Sequence, residues 1–179
     1  LEGAIVNWQE LLRGGVEYNY LVTDQLLDRV DDDKLDWKPS QENNWMTMGQ
    51  LLMHITNACG AGMKGFVTGD WGMPEDFDMD NMSPEDMLPP ADKLPTVGSV
   101  AEAKALLAQD KQLALEMLAA CSEERLDTEI ATAPWDSMEM ILGNRLLQMI
   151  LHLTSHKSQL FYYLKLQGKP VNTNHLWGA

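Results

Sequence analysis

Four stretches of this chain carry apolar residues at the three- and four-residue spacing of a helix, and no stretch shows the every-second-residue alternation of a half-buried strand. The first runs through Ile5, Trp8, Leu12, Val16, Leu26, Leu27 and Val30, with Gly14-Gly15 weakening its middle. The second opens at Met46 to Met48, continues through Leu51, Leu52, Ile55 and Ala58, and fades near Gly60 and Gly62. The third begins at Ser99 or Val100 and carries Ala103, Leu106, Leu107, Leu113, Met117 and Leu118 to Cys121-Ser122, with a short helix expected around Glu123 to Leu126. The fourth is expected from about Met138 to Gln167, because Asp136-Ser137-Met138-Glu139 offers capping side chains and early negative charge. Its end is marked by Gly168, which can adopt the left-handed terminating conformation, and by Pro170, which cannot continue a helix. This pattern predicts an all-α four-helix bundle forming one domain over residues 1–179, antiparallel unless the long connection between helices 2 and 3 crosses over.

That connection, from Gly69 to Gly98, is acidic and rich in Pro and Met: Pro74, Pro84, Pro89, Pro90 and Pro95 interrupt any helix, and Met73, Met79, Met82 and Met87 lie between them. Loops of this length either serve function or lack order. The methionines could cover an apolar mouth as a lid, or they could simply fill gaps over the core together with Trp71. Across the whole chain, 27 acidic against 13 basic side chains give a net charge of −14. Such a surface repels phosphate backbones and anionic membrane faces, so nucleic acid and membrane are not expected partners. No apolar run approaches the length of a membrane span, no basic-then-apolar leader opens the chain, and the two cysteines, Cys59 and Cys121, form no close pair. The expected location is cytoplasmic.

The chemistry concentrates in the fourth helical stretch, where Ile150-Leu151-His152-Leu153-Thr154-Ser155-His156 places two imidazoles one helical turn apart. Both rings leave the same face, the spacing at which one helix gives two ligands to a single metal ion. Because no glutamate follows His152, the HExxH metalloprotease reading fails. A third histidine, His54, lies inside the second apolar stretch between Leu51, Leu52, Met53 and Ile55. Neutral imidazoles buried without nearby carboxylates need partners for their ring nitrogens. A metal would supply them; so would backbone groups, and the pattern alone leaves both readings open.

Two blocks of sequence carry a family resemblance. Trp37-Lys38-Pro39-Ser40 through Asn44-Trp45-Met46-Thr47-Met48-Gly49-Gln50-Leu51-Leu52-Met53-His54-Ile55 is followed far downstream by His152-Leu153-Thr154-Ser155-His156-Lys157-Ser158-Gln159-Leu160 and by Leu164-Lys165-Leu166-Gln167-Gly168-Lys169-Pro170. In this order they resemble the DinB-like (DinB/YfiT) family of metal-binding four-helix bundles. The resemblance implies that His54, His152 and His156 bind a divalent metal. One departure is Lys157-Ser158-Gln159, where the family often has Arg-Gly-Gln; it touches no ligand.

Three imidazoles suit zinc, nickel or iron and leave a coordination position for water or substrate. Family members of known activity resemble metal-dependent thiol transferases, so the resemblance implies transfer of a low-molecular-weight thiol to a small electrophile. A cation beside sulfur lowers the thiol pKa and makes the nucleophile without a dedicated base. A metal-dependent hydrolase, in which bound water is activated instead, and a non-catalytic metal- or ligand-binding bundle remain alternatives. No catalytic side chain is assigned from sequence.

His175 lies past the last helix and is expected at the surface or in packing, and Cys59 is expected in the core. Trp37 and Trp45 bracket the turn into the second helix. Gln159, three residues after His156, is a candidate for a contact behind the ligand, and Tyr163 shares roughly the same face. Proteins with this resemblance are often homodimers, and Tyr18 and Tyr20 near the glycine pair mark where a partner could pack.

Overall fold

The computed structural model describes residues 7–72 and 90–179. Its helices are α1 (Trp8–Leu27), α2 (Met48–Ile55), α3 (Gly60–Thr68), α4 (Val100–Ala119), α5 (Glu123–Thr128), α6 (Leu142–Leu166) and α7 (Thr173–Trp177). Between α5 and α6 lies an antiparallel hairpin of β1 (Ile130–Ala133) and β2 (Asp136–Ile141), with Ile130 paired to Ile141 and Ala131 to Met140.

Helix α1 starts at an Asn7 cap whose side chain accepts the Glu10 N–H. The carboxylate of Glu123 takes two further free donors, the N–H groups of Trp8 and Gln9, at 2.9 and 2.8 Å. The Gly14-Gly15 pair does not break the helix. Gly15 lets Ile150 approach closely, while Gly14 faces open space. Ile5 and Val6 of the expected helix lie outside the described residues, and its C-terminus falls at Leu27 rather than Val30.

The second expected helix does not fade at Gly60. Helix α2 ends at Ile55, four residues turn the chain, and α3 then continues to Thr68. A capping box at Thr47 and Gln50 starts α2. At the start of α3, Cys59 provides no side-chain cap; instead Asp110 of α4 accepts the N–H groups of Gly60 and Ala61 at 3.0 and 2.9 Å.

The expected start of the last helix is also corrected. Residues 136–141, which carry a helix-start signature, are a strand, and α6 begins at Leu142. The fully buried Arg145 holds this hairpin: its Nε donates to the Ala131 carbonyl at 3.2 Å, a terminal nitrogen donates to the Met138 carbonyl, and its guanidinium lies over Phe66. Backbone groups at both strands are thereby satisfied from inside the molecule, which outweighs a local capping preference. The C-terminus of α6 matches expectation. Gly168 takes φ 78°, and the N–H groups of Gly168 and Lys169 return to the carbonyls of Lys165 and Leu164, a Schellman closure.

Contacts along the helices fix their directions. Gly15 meets Ile150 and Asn19 accepts the Thr154 hydroxyl, so α1 and α6 run the same way. Gln9 reaches the carbonyls of Leu118 and Cys121 while Tyr20 reaches Asp110, so α1 and α4 run oppositely. Met46 meets Tyr163, Ala58 meets His152 and Gly62 lies against Met149, so α2 and α3 oppose α6. Val97 N–H bonds the Gly49 carbonyl and Gly60 lies on Asp110, so α2, α3 and α4 run together. The end of α3 and the start of α4 therefore lie at opposite ends of the core. The acidic segment with Met73, Met79, Met82 and Met87 lies at 73–89, outside the described residues. Beyond it, residues 91–94 are anchored by Gln50, whose Nε2 donates to the carbonyls of Ala91 and Leu94.

One apolar cluster runs through all the helix pairs, with Leu12, Leu26, Leu51, Ile55, Leu118, Leu146, Leu153 and Leu164 fully buried. Burying a leucine or isoleucine side chain contributes roughly 1.5–3 kcal/mol, so this cluster, rather than the exposed ion pairs, holds the frame on which the histidines are mounted. No helix among the described residues is long and apolar enough to cross a membrane.

Candidate metal centre

Helix α2 presents His54 from its last turn, and α6 presents His152 and His156 one turn apart. Because α2 and α6 are antiparallel, the three rings converge. His54 Nε2 lies 3.0 Å from His156 Nε2, and His156 Nε2 lies 2.9 Å from His152 Nε2. One ligand nitrogen from each residue falls within 4.8 Å of the others, and all three residues are half-buried.

The outer nitrogens of two rings are already occupied. His152 Nδ1 lies 2.9 Å from the Ala58 carbonyl and His156 Nδ1 lies 3.0 Å from Gln159 Oε1. Both partners are acceptors, so both rings carry the proton on Nδ1 and turn a bare Nε2 lone pair inward. His54 can donate through Nε2 to His156, but the 2.9 Å contact between His152 and His156 then has no proton to fill it. No set of neutral tautomers satisfies this cluster. An extra proton is disfavoured: burial, and then the neighbouring imidazoles, push His54 down to about 4. Burial likewise lowers His156, although Gln159 opposes the shift. A single cation answers all three lone pairs at once. The spacing fits, since two nitrogens each about 2.1 Å from one ion are roughly 3.0–3.4 Å apart at right-angled to tetrahedral geometry.

The surroundings are aromatic on one side. The Tyr163 hydroxyl donates to the Met46 carbonyl at 3.1 Å, and the Tyr163 ring packs against Trp37 and Trp45 at 5.6 and 6.3 Å between centroids. Gln159, between His156 and Tyr163 along α6, accepts the His156 Nδ1 proton, the contact expected of a residue one turn along the face. Tyr163 serves as packing with a satisfied hydroxyl.

Other residues stand apart from the three histidines. His175 closes the capping box of α7, its Nδ1 accepting the Asn172 N–H at 3.0 Å. Cys59 is fully buried and its thiol is pushed up to about 12, by burial first and then by Asp110, which leaves it protonated and inert. Tyr20 cannot face a partner: it is buried and its hydroxyl donates to Asp110 at 2.6 Å. Tyr18 is the exposed member of that pair, its hydroxyl donating to the Trp177 carbonyl. Lys157, at the position where the resemblance expects arginine, is buried beneath the rings of Tyr18 and Trp177 and donates to the Leu176 carbonyl.

The family model of the DinB superfamily matches residues 17–160, a span that contains His54, His152 and His156. The chain belongs to the DinB superfamily. No curated protein and no solved structure matched the chain. Within this DinB superfamily chain, the three histidines form a candidate site able to coordinate a divalent metal.

Proposed function

We propose that this DinB superfamily chain is a metal-dependent enzyme, a four-helix bundle in which His54, His152 and His156 hold one divalent transition metal, zinc, nickel or iron, and that it transfers a low-molecular-weight thiol to a small electrophile. The observation that carries the metal reading is the inward convergence of three Nε2 atoms that no neutral tautomers can satisfy among themselves. Bound there, the metal supplies Lewis acidity and lowers the pKa of a thiol or water in its open position.

The protein's own part is orientation. The Ala58 carbonyl and Gln159 fix the rings of His152 and His156 and keep their Nε2 atoms bare. Tyr163, one turn beyond Gln159 on α6, packs its ring against Trp37 and Trp45. The candidate ligand group among the described residues consists of three histidines. We take a thiol rather than water as the activated group, because a thiol ionises at neutral pH once its pKa falls, whereas water commonly needs help. The proposed partner is thus a small molecule.

The test is turnover by the metal-loaded protein of an activated chloroarene or an alkyl halide, with and without a small thiol such as cysteine, beside His156→Ala. Thiol-dependent loss of the electrophile, abolished in the variant, is the expected result. Turnover that proceeds without thiol would instead establish a hydrolase, and none in either condition a binding protein.

A further inference from the structure

Asp110 is a charged residue in the middle of α4, 5 % exposed, and it touches none of the histidines. Every partner it has is a donor. Its Oδ2 accepts the Tyr20 hydroxyl at 2.6 Å and the N–H groups of Gly60 and Cys59 at 3.0 and 3.4 Å, and its Oδ1 accepts the Ala61 N–H at 2.9 Å. This is the pattern of an ionised carboxylate, stabilised further by the positive end of α3. Burial raises its pKa and these donors oppose the rise.

The segment it grips is the break between α2 and α3, where the chain has no cap of its own. Within that break, immediately before the N–H groups that Asp110 holds, is Ala58, whose carbonyl accepts the Nδ1 proton of His152. The backbone from Ala58 to Ala61 is thus held from two sides, by Asp110 on its N–H groups and by His152 on its carbonyl. Gly60 completes the grip, because a Cβ there would sit 2.1 Å from the Asp110 carbonyl oxygen.

Resting on the metal reading above, we infer that Asp110, seated by Tyr20, is a positioning residue for the metal centre: by clamping the α2–α3 break it fixes the Ala58 carbonyl and, through it, the tautomer and direction of the His152 ring. A carbonyl free to swing would leave His152 with two accessible tautomers, only one of which presents Nε2 to the cluster. Asparagine at position 110 keeps the shape but replaces one acceptor oxygen with a donor, so one of the clamped N–H groups or the Tyr20 hydroxyl loses its partner.

The experiment compares wild type, Asp110→Asn, Tyr20→Phe and Leu126→Ala, the last a core truncation in α5 away from the site. Two readouts are taken: ¹⁵N-histidine NMR of the metal-free proteins for the His152 tautomer, and cobalt affinity with its visible absorption spectrum. Wild type is expected to hold His152 as the Nδ1–H form. Asp110→Asn should show both tautomers, bind cobalt roughly 10–100-fold more weakly and shift the absorption bands. Tyr20→Phe should move the same readouts in the same direction by less, and it decides the matter if Asp110→Asn does not fold. Leu126→Ala should lose stability while keeping the wild-type tautomer, affinity and spectrum. Wild-type tautomer and affinity in the folded Asp110 and Tyr20 variants would overturn the inference. A wild type that binds no cobalt sinks the metal reading, whereas the tautomer measurement still judges Asp110.

Discussion

Replacing Gln159 by leucine and by glutamate should change metal affinity in opposite directions. Gln159 Oε1 is the acceptor for the Nδ1 proton of His156, the ring whose Nε2 lies between those of the other two histidines. Leucine removes that acceptor at similar volume. A neutral hydrogen bond contributes about 1 kcal/mol net, and a donor left half-buried without a partner raises the loss to about 2 kcal/mol. With 1.4 kcal/mol per tenfold, Gln159→Leu should bind metal roughly 5–30-fold more weakly. Glutamate keeps an acceptor and adds charge; charge-assisted hydrogen bonds are about twice as strong, and a carboxylate behind a ligating imidazole raises its basicity. Gln159→Glu should therefore match or exceed wild-type affinity. The assay is competition for zinc or cobalt against a chelating dye at fixed pH, with thermal unfolding of the metal-free proteins as a control for global effects. Leucine and glutamate variants that both bind within about twofold of wild type would refute the argument that Gln159 orients a ligand.

Two further predictions follow from packing and titration. Gly60→Ala should destabilise the protein by about 2–3 kcal/mol, since the new Cβ meets the Asp110 carbonyl oxygen at 2.1 Å, whereas Gly14→Ala, facing open space within α1, should stabilise it by roughly 0.5–1 kcal/mol; urea unfolding measures both. For pH, His54 is held at about 4 in the folded metal-free protein against about 6.5 in the unfolded chain, so the unfolded state takes up the proton first and stability falls as pH drops from about 6.5 toward 4. Discounted for the partial exposure of the ring, that is about 1 kcal/mol between pH 7 and pH 5, and His54→Ala should lose correspondingly less over the same interval in urea unfolding at the two pH values.

The sequence reveals the parts of the site that local geometry encodes and conceals those that tertiary contacts create. The four-residue spacing of His152 and His156, and Gln159 one turn beyond, is legible because a helix puts such residues on one face. That His54 meets them depends on α2 and α6 running antiparallel with Ala58 opposite His152, a register that periodicity does not contain. Asp110 is hidden altogether, lying in Gln109-Asp110-Lys111-Gln112, a polar run that reads as a solvated face. Helix α3 is missed for a related reason: Gly60, Gly62 and Gly65 lower helix propensity, yet Gly60 admits Asp110 and Gly65 admits the Trp71 ring. The hairpin is concealed because Asp136-Ser137-Met138-Glu139 carries a genuine helix-start signature, overruled by pairing with β1 and by Arg145 beneath it.

The most direct test of the central claim is elemental analysis of protein purified without a polyhistidine tag or chelator, together with His54→Ala, His152→Ala and His156→Ala. The convergence of three Nε2 atoms predicts near-stoichiometric divalent metal in the wild type and its loss from every variant. A wild type that folds normally and stays metal-free after reconstitution, or variants that keep their metal, would contradict it.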